Sequence, residues 1–254
     1  VTPATPDCAE VAWADAGGVH TRGVTDGSRM VTAPGPAIPA GFDADGALWL
    51  RVDTADGPRA AQRPRGASTA QIPAPLAQLA IDDLAAGGAL PGVVFATPGG
   101  LRWWDGSALH TLSDDPRDRA PAVHPRIAVV AWLRAGQPAA VHLQLEGGFQ
   151  RGQVQLHLKG RADCDGVAWA QQALVARCGG SLWSIQRTGA ATPLGAASAW
   201  TVADERVLAD GAAWSWTGAP LPAPPPGAVA ACRTPDGYRV WTRADAAIAL
   251  TPWP

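Results

Sequence analysis

The sequence predicts an all-β fold, a single β-propeller of about seven short blades, with six blades and one irregular segment as the alternative. The first observation behind this is a returning pattern: an apolar run, a glycine-bearing turn, then a second apolar run carrying tryptophan. It stands as VFATPGGLRWW at 94–104, VARCGGSLWSIQ at 175–186, VLADGAAWSW at 207–216, FDADGALWLRV at 42–52 and CRTPDGYRVWT at 232–242. The second is punctuation, since 29 Gly and 24 Pro among 254 residues divide the chain into many short strands. The third is the choice of aromatic residue, 12 Trp against one Tyr and three Phe. A propeller blade cannot bury both faces alone and stacks on its neighbours, and large aromatic rings suit those seams.

The elements follow in order. Inner strands are expected near 10–14, 41–43, 78–82, 121–124, 166–170, 198–202 and 228–232. Second strands are expected at 19–24, 47–52, 93–96, 127–132, 174–178, 207–209 and 238–242. Units of roughly 30 to 45 residues match the length of a propeller blade. Residues 1–7 read as a linker and 8–254 as the propeller domain. The least regular stretch, 66–91, holds PAPLAQLAIDDLAAGG. It admits a short helix stopped by Gly87, but an insertion around a blade strand is the preferred reading. Trp49, Trp103 or Trp104, Trp183, Trp214 or Trp216, and Trp241 are expected to pack between blades rather than form a sugar-binding platform. The Pro-rich APLPAPPPG at 219–227 reads as a stiff connection between the last two units, with a partner-read polyproline segment as the alternative.

Residues 119–148, RAPAVHPRIAVVAWLRAGQPAAVHLQLEGG, follow LRWWDGSALHTLSDDPRDRAP. This region resembles the repeat of bacterial TolB-like and WD40-like propellers, best over 101–148. TPDGYRVW at 234–241 and DADGALWL at 43–50 repeat the family's Pro-Asp-Gly type of turn, which His124-Pro125-Arg126 shortens. The resemblance implies an architecture, not one activity.

The formal charge is -2 and charged residues make up 17% of the chain. No basic excess is present to neutralise a phosphate backbone, so nucleic acid is not an expected partner. Asn is absent and Lys159 is the single lysine, a bias read as the mark of a GC-rich genome. The longest uncharged apolar run, 127–133, is too short to span a bilayer as a helix. The chain starts VTPATPDC without an initiator Met, as a mature product whose leader has been removed would, although a truncation would look the same. Four cysteines without Cys-x-x-Cys spacing point to two disulfides in an oxidising compartment. A hairpin turning near Gln171-Gln172 sets Cys164 opposite Cys178, and exclusion then pairs Cys8 with Cys232. Four free thiols in a reduced compartment are the alternative.

No convergent catalytic set, metal set or cofactor motif stands out. His142 and His157 are expected across from one another on paired strands, on a solvated face with Gln144 and Gln155. SDDPRDR at 113–119 clusters Asp114, Asp115 and Asp118 with Arg117 and Arg119, and a turn is favoured over a calcium loop. GASTA at 66–70 lacks the last glycine of a nucleophile elbow. The leading expectation is therefore a non-catalytic cell-envelope propeller, periplasmic or extracellular. It would be a scaffold or accessory subunit that binds another protein or envelope complex, with no cofactor. The alternative is a propeller enzyme or glycan-binding module using Asp43, Asp82, His124 and Asp204 at inner-strand ends.

Overall fold

A computed structural model describes residues 3–5, 7–142, 152–155, 163–186, 188–244 and 247–254. The described residues form seven small antiparallel sheets of three or four strands, each sheet built from consecutive strands. The chain divides into two compact units, Val1–Pro121 and Ala122–Pro254.

The first unit holds three sheets. The first joins β1 (Glu10–Asp15), β2 (Gly18–Gly23) and β3 (Ser28–Val31); the second β4 (Ala37–Phe42), β5 (Leu48–Thr54) and β6 (Gly57–Arg63). The third joins β7 (Asp83–Ala85), β8 (Val93–Thr97), β9 (Gly100–Trp104) and β10 (Leu109–Ser113). Strand β5 shows why they stack. Leu48, Leu50 and Val52 join Val19 and Val31 of the first sheet in one buried cluster. Trp49, pointing the other way, packs with Val93, Phe95 and Trp104 of the third sheet. Period-two alternation thus gives this sheet two apolar faces, and each needs a neighbouring sheet to leave water. Residues 3–5, assigned to a linker by sequence, reach β1: Ala4 bridges Val11, and the Glu10 amide donates to Thr5 Oγ1 at 2.9 Å.

The second unit holds four sheets: β11 (Asp118–Val123), β12 (Val129–Arg134), β13 (Gln137–His142) and β14 (Gly152–Gln155); then β15 (Cys164–Ala170), β16 (Ala173–Cys178), β17 (Ser181–Gln186) and β18 (Ala191–Ala196). After these come β19 (Trp200–Ala203), β20 (Arg206–Ala209) and β21 (Ala212–Ser215), then β22 (Ala228–Thr234), β23 (Gly237–Ala244) and β24 (Ala247–Trp253). The boundary between the units falls inside β11. Strand β20 repeats the logic of β5. Val207 and Ala209 face the β15–β18 sheet, while Leu208 packs with Ala231, Val240 and Trp253 of the last. Two-residue turns close several hairpins. Ala135-Gly136, Gly179-Gly180 and Asp210-Gly211 all have positive φ at both positions, the geometry that matches strand twist.

Cys164 lies opposite Cys178 in the register of β15 and β16, and the two form a disulfide. No cysteine is free, and Cys8 and Cys232 are also disulfide-bonded.

Three local expectations need correction. The inner strand expected at 78–82 is β7, Asp83–Ala85. Residues before it form one 3-10 turn, Ala74–Leu76, because Pro73 and Pro75 withhold amides while Leu76, Ile81 and Leu84 drop separately into the same core cluster. The Arg59 Nε–H donates to the Ala77 carbonyl at 2.9 Å and fixes this irregular stretch without a longer helix. The strand expected at 41–43 begins at Ala37 and ends before Asp43, whose side chain closes the following turn. His142, expected opposite His157, is set against Gly152 by the register of β13 and β14. His157 itself lies outside the described residues.

Candidate functional site

Four successive sheets of the second unit place the turns after their first strands close together, and Asp204 is the hub. It occupies the left-handed region at φ 52°, as the first residue of the turn between β19 and β20. Aspartate tolerates that conformation better than most side chains. Its side chain is only 7% exposed, and Oδ2 accepts from Arg126 Nη2 at 2.9 Å and Arg233 Nη1 at 3.3 Å. Oδ1 is buried and has no hydrogen-bond partner among the described residues.

Each partner comes from a different sheet. Arg126 lies in the loop between β11 and β12, and Arg233 near the end of β22. Hydrogen bonding to Asp204 raises the guanidinium pKa of Arg233. Glu205 accepts from Tyr238 Oη at 2.6 Å. Burial first, then this bond to a carboxylate, pushes the phenol pKa well up, and the hydroxyl remains a donor. The Arg206 guanidinium lies 3.7 Å from the Tyr238 ring centroid and 4.3 Å from that of Trp253. These contacts hold Arg206 flat against the last sheet.

The outer part of this network faces solvent. The side chains of Arg126 and Arg233 are 54% and 44% exposed, and the neighbouring Ile127 is 48% exposed. Two charged forks are thus prepositioned by one buried carboxylate, and an exposed aliphatic side chain follows one of them in the chain.

His124 sits beside this surface, but both its ring nitrogens are committed. Nδ1 accepts from the amides of Arg126 and Ile127 at 3.0 and 3.2 Å, which leaves Nε2–H to donate to the Gln171 carbonyl at 2.6 Å. Burial lowers its pKa and keeps the ring neutral. The shortened turn His124-Pro125-Arg126 therefore uses an imidazole as its anchor.

Asp43 is 3% exposed. Its Oδ1 accepts from the amides of Asp45 and Ala47 at 3.0 and 2.9 Å, and its Oδ2 from Trp49 Nε1 at 2.8 Å and the Gly92 amide at 3.2 Å. Asp82 is exposed, and its backbone amide donates to the Ala96 carbonyl. Trp49, Trp103, Trp104 and Trp241 are buried, and Trp183, Trp214 and Trp216 partly so. In the 113–119 cluster, Asp115 accepts from Arg117 Nε at 2.9 Å and Nη2 at 2.6 Å within the turn, Asp114 pairs with Arg102 of β9 at 3.2 Å, and Asp118 begins β11. Among the described residues no group of three His, Cys, Asp or Glu could hold a metal ion.

No protein-family model matches the sequence, and no curated protein matches it. Solved structures do match in shape. Human WBSCR16 superposes with a TM-score of 0.60 at 10% identity, over 96% of this chain and 87% of that one. A catalytically inactive virginiamycin B lyase from Staphylococcus aureus, solved with quinupristin, gives 0.57 at 12% identity, over 98% and 91%. A chain of a nidogen/laminin complex gives 0.51 at 11% identity, over 82% of each.

The fold is a β-propeller. At these identities the likeness carries the fold alone, and the propellers it joins include an enzyme and a protein complex.

Sequence reasoning named Asp204 and His124 but missed Arg126, Ile127, Arg206, Arg233 and Tyr238. No local signal marks them, since Arg126 stands 78 residues from the carboxylate that orients it. The one available clue was an arginine beside each of three turns, at 126, 206 and 233.

Proposed function

We propose that this propeller is a non-catalytic binding module of the bacterial cell envelope, periplasmic or extracellular, whose turn surface docks another protein as part of a larger assembly. One observation carries the reading: the exposed Arg126 and Arg233 are held by the one buried carboxylate of Asp204, and the exposed Ile127 follows Arg126 in the chain. Arginines beside an exposed apolar residue suit the centre of a protein interface, where guanidinium groups and apolar anchors contribute most of the affinity. The groups of the rival catalytic reading support it too, because Asp43 and His124 already bind donors and acceptors of their own turns. The oxidised cysteines and the TolB-like repeat around 101–148 support the envelope location. Among the described residues no helix is long and apolar enough to cross a membrane.

The test is photo-crosslinking in envelope extract from a reactive side chain placed at position 127, followed by purification of the adduct. One partner in stoichiometric amount is expected, lost on Arg126→Ala with Arg233→Ala while the melting curve still shows a folded protein. Ile127→Asp, on an exposed side chain, should also abolish capture. A chain that captures no partner, or keeps it in both variants, overturns the reading.

A further inference from the structure

A cleft of about 400 Å³ opens on the first unit, far in sequence from the Asp204 surface and independent of the reading built on it. It lies between the loops before β1 and after β2, β4 and β6. Its volume falls within the range of small-molecule sites. Its lining is chemically narrow: only Thr, Ala, Gly, Asp, Glu and Arg. No aliphatic side chain longer than alanine and no ring is present, so it offers nothing to an acyl chain, a nucleobase or the flat face of a sugar.

Both signs of charge are present, with four carboxylates and three guanidiniums. Most already have partners. Asp43 is bound by four donors, and Asp26 pairs with Arg29 at 3.1 Å. Arg63, its side chain only 3% exposed, reaches Glu10 Oε2 at 2.9 Å and the Ala67 carbonyl at 3.3 Å.

The remaining capacity is also of both signs. Arg63 Nε is buried with no acceptor, and Arg65 makes no hydrogen bond or ion pair among the described residues. Glu10 is 19% exposed, and among the described residues its Oε1 accepts no hydrogen bond. A buried guanidinium N–H without an acceptor is costly, and an anionic oxygen is the group that best satisfies it. A net anion would meet Asp7 and Glu10, and a net cation would meet Arg63 and Arg65. A ligand carrying one charge of each sign avoids both repulsions.

We propose that this cleft binds a small zwitterion of the amino-acid type, its carboxylate taken by Arg65 with Arg63 behind it and its ammonium by Glu10. Gly66 in the lining has nothing within 4 Å of where a Cβ would stand, which leaves room there for a backbone-sized group to approach.

Titration calorimetry on the whole chain tests this with glycine, glutamine and diglycine as zwitterions, acetate and ethylammonium as the separated charges, and glucose as a neutral control. At least one zwitterion is expected to bind, with acetate and ethylammonium at least tenfold weaker and glucose silent. Arg65→Ala, at an exposed position, should cut the affinity tenfold or more without moving the melting temperature. Glu10→Gln should do the same, and Arg65→Ala keeps the test decisive if loss of the Arg63 pair loosens the fold. Silence from every zwitterion, tighter binding of glucose or acetate, or unchanged affinity in Arg65→Ala overturns the proposal.

Discussion

Asp43 and Asp105 show how a single carboxylate can be fixed by its turn. Asp43 has four N–H donors divided evenly between its two oxygens. Burial raises its pKa, while the bonds from Trp49, Ala47 and Gly92 work the other way. Asn in its place would remove the buried charge, yet its amide nitrogen would face two of those donors. Geometry therefore outweighs desolvation, and Asp43→Asn should destabilise nearly as much as Asp43→Ala, by about 2–4 kcal/mol in urea melts. A neutral or stabilising Asn would show that desolvation wins. Asp105 is the opposite case. Burial works to raise its pKa, but bonds from His110 and from the amides of Ala108 and Ser107 hold the carboxyl well below the usual range. A depressed folded-state value means the stabilisation is complete above the ordinary carboxylate pKa, about 4, and fades as pH falls below it. Asp15, lowered chiefly by the Gly17 amide, and Asp210, lowered by the Ser198 and Ala199 amides, act in the same direction. Acid titration of the melting temperature should therefore drop below about pH 4, and Asp105→Asn should flatten that limb while lowering the neutral plateau. An unchanged acid limb would rule out this carboxylate as a contributor.

One device recurs between elements of the first unit. Trp13, Asp15 and His20 repeat the spacing of Trp103, Asp105 and His110. In each, the imidazole stacks on the indole, at 5.3 and 4.8 Å between centroids, and Nε2 meets the aspartate at 3.1 and 2.7 Å. The histidine comes from the strand after the turn and the tryptophan from the strand before it, so the trio staples a hairpin shut. His20→Ala should cost about 1 kcal/mol, and His20→Phe should recover the stacking share but not the bond to Asp15. Equal losses in the two variants would show that stacking adds nothing. The spacing was available in the sequence, but its meaning depends on two strands being paired. Strand positions were easier to read, because β5, β8, β12, β16 and β23 carry apolar runs bounded by turns. What escaped reading was the segment 66–91, where leucines reach the core from irregular backbone and no period exists to detect. Gly92 marks its exit: at φ 74°, a Cβ there would run into the Trp104 carbonyl, so Gly92→Ala should be among the most damaging single-atom additions in the chain.

Across the whole molecule, the fold was legible where function was not, and the reason is physical. Sheets that bury both faces write their period into every strand, as Leu48-Trp49-Leu50 does between two core clusters. The Asp204 surface writes nothing local, because Arg126 and Arg233 act only after distant turns meet. Covalent closure falls between these cases: cysteine count and hairpin spacing suggest oxidation, and the structure shows no free thiol. Closing the hairpin between Cys164 and Cys178 limits the unfolded chain and should contribute about 3 kcal/mol by the loop-entropy estimate. Cys164→Ala with Cys178→Ala should therefore lower the melting temperature by about 6–12 °C for a chain of this size. Because Cys8 and Cys232 are also oxidised, adding reductant to that double variant should lower it further, and alkylation should label two thiols only after reduction. Thiols that label without reductant, or a variant whose melting ignores reductant, would show that the second pair of cysteines does not constrain the native chain. The oxidising compartment in the proposed function would then lose its main support.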